Sequence, residues 1–137
     1  MKAQASALIN APISKAWQVL ADHEGMATWA PGGRVTLTNE GSSDRNGVGA
    51  VRKVKLGPAT LVEEIERFEP EKTLAYKAIA GVPFKNWRGT VTLEAEGDKT
   101  RATWTLTADP RLPFGEQPVV QLIAKTLITL YARAAAR

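Results

Sequence analysis

Residues 84–108, "FKNWRGTVTLEAEGDKTRATWTLTA", decide the fold because they sort themselves onto two faces. Trp87, Gly89, Val91, Leu93 and Ala95 fall on one side, with Lys85 as a polar end. Asn86, Arg88, Thr90, Thr92 and Glu94 fall on the other. After the polar "EGDK", Ala102, Trp104, Leu106 and Ala108 alternate with Arg101, Thr103, Thr105 and Thr107. A period of two with one apolar side predicts half-buried antiparallel strands. The Gly-containing turn between them predicts a hairpin. Its outer face is threonine-rich and wet. Its inner face carries two tryptophans and needs a cover.

The only broad apolar partner left in the chain is "EQPVVQLIAKTLITLYARAAAR", residues 116–137, which reads as one long helix. Val119, Ile123, Leu127, Leu130, Tyr131 and Ala134 form the expected stripe, widened by Val120, Ala124 and Ile128. Arg133 and Arg137 suit the negative end of the helix dipole. The stretch contains Gln121 and Lys125 and is too short to span a bilayer.

Between the chain start and the hairpin, the order of elements follows from local signals. A first strand covers 5–10, with either Ala5, Ala7 and Ile9 or Ser6 and Leu8 inward. Pro12 suits a first helical turn, and Ile13, Ala16, Trp17 and Leu20 recur at helical spacing. Asp22 is placed to cap a second short helix, "HEGMATW", which Pro31, Gly32 and Gly33 terminate. Strands follow at 34–40, with Val35 and Leu37 on one side, and at 48–56, broken by Gly57–Pro58. "ATLVEEIERF" (59–68) has helical composition, yet turns bound it on both sides, so it is assigned as a strand in which Leu61 and Ile65 share a face with Glu63. A further strand spans 72–80, with Leu74, Tyr76 and Ala78 on one face. "DPRLPFG" (109–115) is a loop. The result is an α+β chain: a strand, two short helices, about six strands and a long helix. A twisted antiparallel sheet curled round that helix is the layer solution.

Size and composition narrow the function. With 137 residues, one domain with its own core is expected over 1–137. The absence of cysteine rules out disulfides and thiolate metal sites and fits a reducing compartment. "MKAQASALIN" has no apolar run resembling a signal peptide, so a soluble, cytoplasmic protein is expected. Eighteen basic against fourteen acidic residues give a net charge of +4. The positive residues are scattered rather than clustered, which argues against nucleic acid as a partner. No Ser–His–acid set, nucleophile elbow, dinucleotide fingerprint or P-loop spacing is present.

Several pieces together resemble the START-like superfamily: "APISKAWQVLAD" (11–22), Trp29–Ala30–Pro31, Gly47–Val48–Gly49, "VEEIERFEPEKTLAYK" (62–77) and "WRGTVTLEAEGDKTRATWTL" (87–106). The closest likeness is to its polyketide cyclase/dehydrase branch, also called SRPBCC proteins. The resemblance spans nearly the whole chain. It implies a helix-grip fold, a curved seven-stranded antiparallel sheet wrapped around the C-terminal helix, with an internal apolar cavity. Members enclose lipids, polyketides, hormones or quinones, and some are cyclases.

The candidate site residues follow from both readings. Trp29, Tyr76, Trp87, Trp104, Phe114, Ile123 and Leu127 are aromatic or aliphatic groups expected between sheet and helix. Trp104 and Trp17 suit plain core, Trp29 the cavity mouth, and Phe114 the guard of the final loop. Gly89 leaves room on the inner face for the helix or a bound molecule. Alternation puts Arg52 on the same, more apolar side as Ala50, Val54 and Leu56. It either pairs with a strand glutamate inside the grip or reaches to the rim. Of the acidic run Glu63, Glu64 and Glu66, Glu64 is the residue chosen as an inward polar group, and Asn86 is a further polar candidate. His23 is expected to be solvated or capping a helix, with acid/base work at the cavity mouth as the alternative. No cofactor or metal is expected. The leading function is enclosure of a small hydrophobic or aromatic molecule in a cavity of roughly 300 Å3 or more. A cyclase/dehydratase using His23 or Glu64 is the second reading, and a partner-binding module with a collapsed interior the third. A homodimer could form through the strand near 34–40 or the loop at 112–114.

Overall fold

The computed structural model describes residues 1–137 except Pro31, Gly32 and Gly57, and all but the side chain of Leu56. The helix stop expected at Pro31–Gly32, the break at Gly57 and the inward side chain of Leu56 lie outside the described residues. Seven antiparallel strands form one sheet in the order β1-β7-β6-β5-β4-β3-β2. They are β1 (Lys2–Ile9), β2 (Gly33–Asn39), β3 (Val51–Leu56), β4 (Ala59–Glu69), β5 (Thr73–Ala80), β6 (Arg88–Glu96) and β7 (Lys99–Thr107). Helix α1 (Ile13–Ala21) and a 3-10 helix (Glu24–Thr28) follow β1, and α2 (Gln117–Ala135) closes the chain.

The hairpin behaves as its alternation requires. Glu96 faces Lys99 across the turn at Gly97, whose φ of 66° suits a residue without a Cβ. Val91, Leu93, Ala102, Trp104 and Leu106 are all buried on the inner face. β1 then pairs with β7, from Lys2 opposite Thr107 to Ile9 opposite Thr100. Of its two alternative faces, the one with Ala3, Ala5, Ala7 and Ile9 is the inner one. β1 needs this partner because the next strand in sequence, β2, lies at the opposite edge of the sheet.

Helix α1 begins after Pro12 and buries Ala16, Trp17 and Leu20, the spacing its sequence shows. Asp22 Oδ1 accepts the Gly25 N–H at 3.1 Å at the start of the 3-10 helix. The residues 59–69 form an unbroken strand despite their helical composition. Pairing with β3 and β5 on both sides satisfies its backbone, and this tertiary context overrides a weak local preference.

Three expectations shift. The first strand covers Lys2–Ile9, not 5–10. The third strand starts at Val51, not Val48. The stripe of α2 is centred on Val120, Ala124, Ile128, Tyr131 and Ala135, which are buried, while Val119 is 54% exposed. The helix is rotated by about one residue from the expected face. That rotation buries the small Ala124 and Ala135 and leaves the bulkier Ile123 and Leu127 only partly buried.

The two sheet edges differ. At the β1 edge, α2 supplies surrogate strand partners: Gln121 Nε2 donates to Gln4 O at 2.8 Å and Gln117 Nε2 donates to Lys2 O at 2.5 Å. The other edge is β2, as expected for 34–40.

Candidate functional site

α2 packs closely on β1 and β7, leaving the β3–β4–β5 side of the curved sheet less covered. There a partly open, largely apolar hollow of about 130 Å3 remains. β3 contributes Arg52 and Val54 to its wall, β4 Leu61 and Glu63, β5 Tyr76 and β7 Trp104. Trp87, just before β6, adds a further aromatic wall, and Ile123 and Leu127 of α2 form the roof. Met26, Trp29 and Ala30 close the remaining side. Larger hollows exist on the surface, such as one of about 590 Å3 beside Met1, Lys2 and Asp109, but they are open to solvent.

The wall carries a buried ionic chain. Arg52 Nε donates to Glu63 Oε1 at 2.8 Å, and Arg52 is only 1% exposed. Of the two expected fates of Arg52, pairing inside the grip is the one observed. Register explains the pairing, since Arg52 and Glu63 are directly opposite on β3 and β4. Arg52 Nη1 also donates to His23 Nδ1 at 3.1 Å, and its guanidinium carbon lies 4.8 Å from the centre of the Tyr76 ring. His23 Nε2 in turn donates to Asn46 O at 2.7 Å.

Those contacts settle the state of His23. A guanidinium can only donate, so Nδ1 must hold a lone pair. A carbonyl can only accept, so Nε2 must carry the proton. The imidazole is neutral. Burial, reinforced by the Arg52 charge, pulls its pKa down to about 4. His23 is fully buried, against the expectation of a solvated or capping residue. With both nitrogens committed, it is a structural link behind Arg52 and does not line the cavity.

The aromatic groups form a connected set. Trp104 Nε1 donates to Tyr76 Oη at 3.2 Å. Tyr131 lies 6.3 Å from Trp104 and 6.0 Å from Trp29, and donates its hydroxyl to Ala16 O at 2.6 Å. Burial pushes the Tyr76 hydroxyl pKa well above its ordinary value, aided by the nearby Glu63 charge. Trp29 is 6% exposed, and its indole N–H has no hydrogen-bond partner among the described residues.

Seven of the expected residues meet at this cavity: Trp29, Arg52, Tyr76, Trp87, Trp104, Ile123 and Leu127. Four others do not. Glu64 points to the outer face, 3.8 Å from Lys77, because strand alternation turns it away from Glu63. Gly89 leaves no vacant room: a Cβ there would overlap the ring of Tyr76, which fills the space from the neighbouring strand. Phe114 is 83% exposed in the final loop, with Leu112 also exposed. Asn86 is exposed and donates to Asp109 Oδ2 at 2.8 Å. Glu63 is the site residue the sequence reading passed over, along with Met26, Ala30, Val54 and Leu61. Its shared face with Leu61 and Ile65 was the available signal.

A curved antiparallel sheet gripping a C-terminal helix around an apolar hollow defines the START-like, helix-grip class. The chain belongs to the polyketide cyclase/dehydrase and lipid transport family, whose model matches residues 1–137. Solved structures agree on the fold. A START superfamily protein from Mycobacterium smegmatis superposes with a TM-score of 0.79 at 13% identity, covering 98% of this chain and 94% of that one. A protein from Thermobifida fusca gives 0.79 at 20% identity, covering 99% and 93%. The Aha1 dimer from Colwellia psychrerythraea gives 0.70 at 17% identity, covering 98% and 92%. No curated protein matches the sequence. No described helix is long and apolar enough to cross a membrane.

Proposed function

We propose that this chain, as a single domain over 1–137, encloses a compact hydrophobic or aromatic molecule between sheet and α2. The observation that carries the reading is the apolar hollow itself, walled by Trp29, Tyr76, Trp87, Trp104, Ile123 and Leu127. Recessed hollows with mostly apolar walls take up apolar ligands because water gains few hydrogen bonds against such walls. Its volume of about 130 Å3 is below the roughly 300 Å3 expected for a drug-sized ligand. It is near the roughly 150 Å3 of a cavity that holds benzene. The resting occupant is therefore about one ring in size. A longer lipid or polyketide requires Ile123 and Leu127 to move outward, and both are only partly buried. The family's lipid and polyketide associations support this class of ligand, and a cysteine-free sequence suits a cytoplasmic setting.

Tryptophan emission titrated with neutral one-ring compounds tests the reading, since three tryptophans line the cavity. The emission should shift saturably in the natural protein. Leu127→Phe, which fills the hollow, should abolish the shift while leaving the protein folded. An unresponsive natural protein, or an equal response in the filled variant, would rule out this cavity as the site.

A further inference from the structure

We infer that the free edge of β2 takes up an extended acidic segment of a protein partner as a further strand, with acids alternating with apolar residues along it. None of the β2 and β3 residues that would receive it lines the cavity: Arg34, Thr36, Leu37, Lys53 and Lys55 all lie outside that wall.

The backbone points to a peptide. At the β1 edge, Gln117 and Gln121 bond to strand carbonyls. Along 34–38 of β2, nothing among the described residues bonds to the backbone on the side away from β3. An open strand edge is a template for another extended chain, and neither a nucleic acid nor a lipid surface supplies the matching N–H and C=O groups.

Charge points to an acidic one. The cations are scattered in sequence, but strand register gathers three of them. Arg34 stands directly opposite Lys55, and Lys53 is the next outward residue on β3. All three are exposed, and none is in an ion pair among the described residues. Their partners on β4, Thr60 and Val62, carry no charge, while Glu64 and Glu66 are engaged by Lys77 and Arg88. Like charges directly opposite one another destabilise a sheet unless something neutralises them. Two copies of this chain joined at β2 would bring both sets of cations onto one face, which disfavours self-pairing. Acids on an added strand would stand beside Arg34 on the outer face. On the inner face Leu37 is only half-buried, and the alternate apolar residues of the added strand would cover it.

Capped peptides of about eight residues, titrated into the 15N-labelled full chain by NMR, test this. One alternates Glu with Val, one has the same composition with Glu and Val in separate blocks, and a DNA duplex serves as a second polyanion. The alternating peptide should shift the amides of 34–39 saturably and slow their hydrogen exchange. It should bind about tenfold or more tightly than either control. In Lys53→Glu with Lys55→Glu, both exposed positions, its affinity should fall about tenfold or more, and an alternating Lys–Val peptide should gain. Equal binding of the block peptide or the duplex overturns strand addition in favour of a plain polyanion patch. Unchanged affinity in the charge-reversed variant, shifts confined to other elements, or no binding also overturns it. A peptide-free dimer with protected 34–39 amides would give the edge to a second copy and overturn it as well.

Discussion

The two halves of the sheet are built from the same kind of strand yet filled in opposite ways. On β6 and β7, the buried inner side chains from Val91 to Leu106 are apolar apart from Thr100, whose hydroxyl donates to Ala11 O at 2.9 Å. Apart from Trp104, which also walls the hollow, they pack solidly beneath the helices. On β3 and β4, the inner face carries Arg52 and Glu63, backed by His23, beside a hollow. One half stabilises the fold by removing apolar surface from water. The other spends packing on a charge pair and an empty volume, neither of which the fold requires. Stability and site are thus segregated along one curved sheet, and substitutions in the two halves should behave differently.

The largest effect belongs to the solid half. Trp104→Ala should lower unfolding free energy by about 4 kcal/mol in a denaturant titration. A loss below about 1 kcal/mol would mean that the hairpin's inner face is not the main core.

In the other half, Glu63→Leu should cost about 3–4 kcal/mol, because Arg52 is left buried without its partner. The double variant Arg52→Met with Glu63→Leu should recover most of that loss. If it is as unstable as the single variant, the pair contributes more than mutual neutralisation.

Third is the pH dependence. His23 is neutral in the fold, with its pKa lowered from 6.5 to about 4. The unfolded chain therefore takes up the proton first as pH falls. The stabilising contribution is complete above pH 6.5 and is lost as pH drops through 4, amounting to about 3 kcal/mol. Denaturant midpoints at pH 7 and pH 4 should lie closer together for His23→Gln than for the natural protein. Identical pH profiles would detach His23 from the buried chain.

The smallest expected effect falls between the halves. Gly89→Ala would push the Tyr76 ring from its place, for about 2 kcal/mol. An unchanged melting temperature would show that Tyr76 has room to retreat, and hence that the cavity is larger than its resting volume.

The same division runs through what the sequence discloses. Alternation over 87–108 declares the solid half, because period and polarity agree at most positions, with Thr100 the buried polar exception. The site half is harder. "LVEEIERF" satisfies a helical pattern as well as a strand, and three glutamates in a short span resemble a solvated face. The pairing of Leu56 with Ala59 nonetheless sets the register that places Arg52 opposite Glu63. Register, rather than composition, identifies the buried acid. His23 offers no such clue: its flanking Asp22 and Glu24 suggest exposure, and the arginine that buries it comes from a strand 29 residues away. Phe114 fails for the converse reason, since an aromatic residue in a loop carries no period that would assign it a side.

The glutamine contacts that tie α2 to β1 also order events during synthesis. β1 is the first strand made, but its strand partner, β7, and the helix that covers its outer edge, α2, are the last elements of the chain. Strands β2 to β6 can zip together one after another as they emerge, whereas the first eight-residue strand must wait for nearly the whole polypeptide. Until then its backbone groups are open to any extended segment nearby, which makes the nascent amino-terminal ribbon the point where mispairing with a neighbouring chain, or capture by a chaperone, would begin.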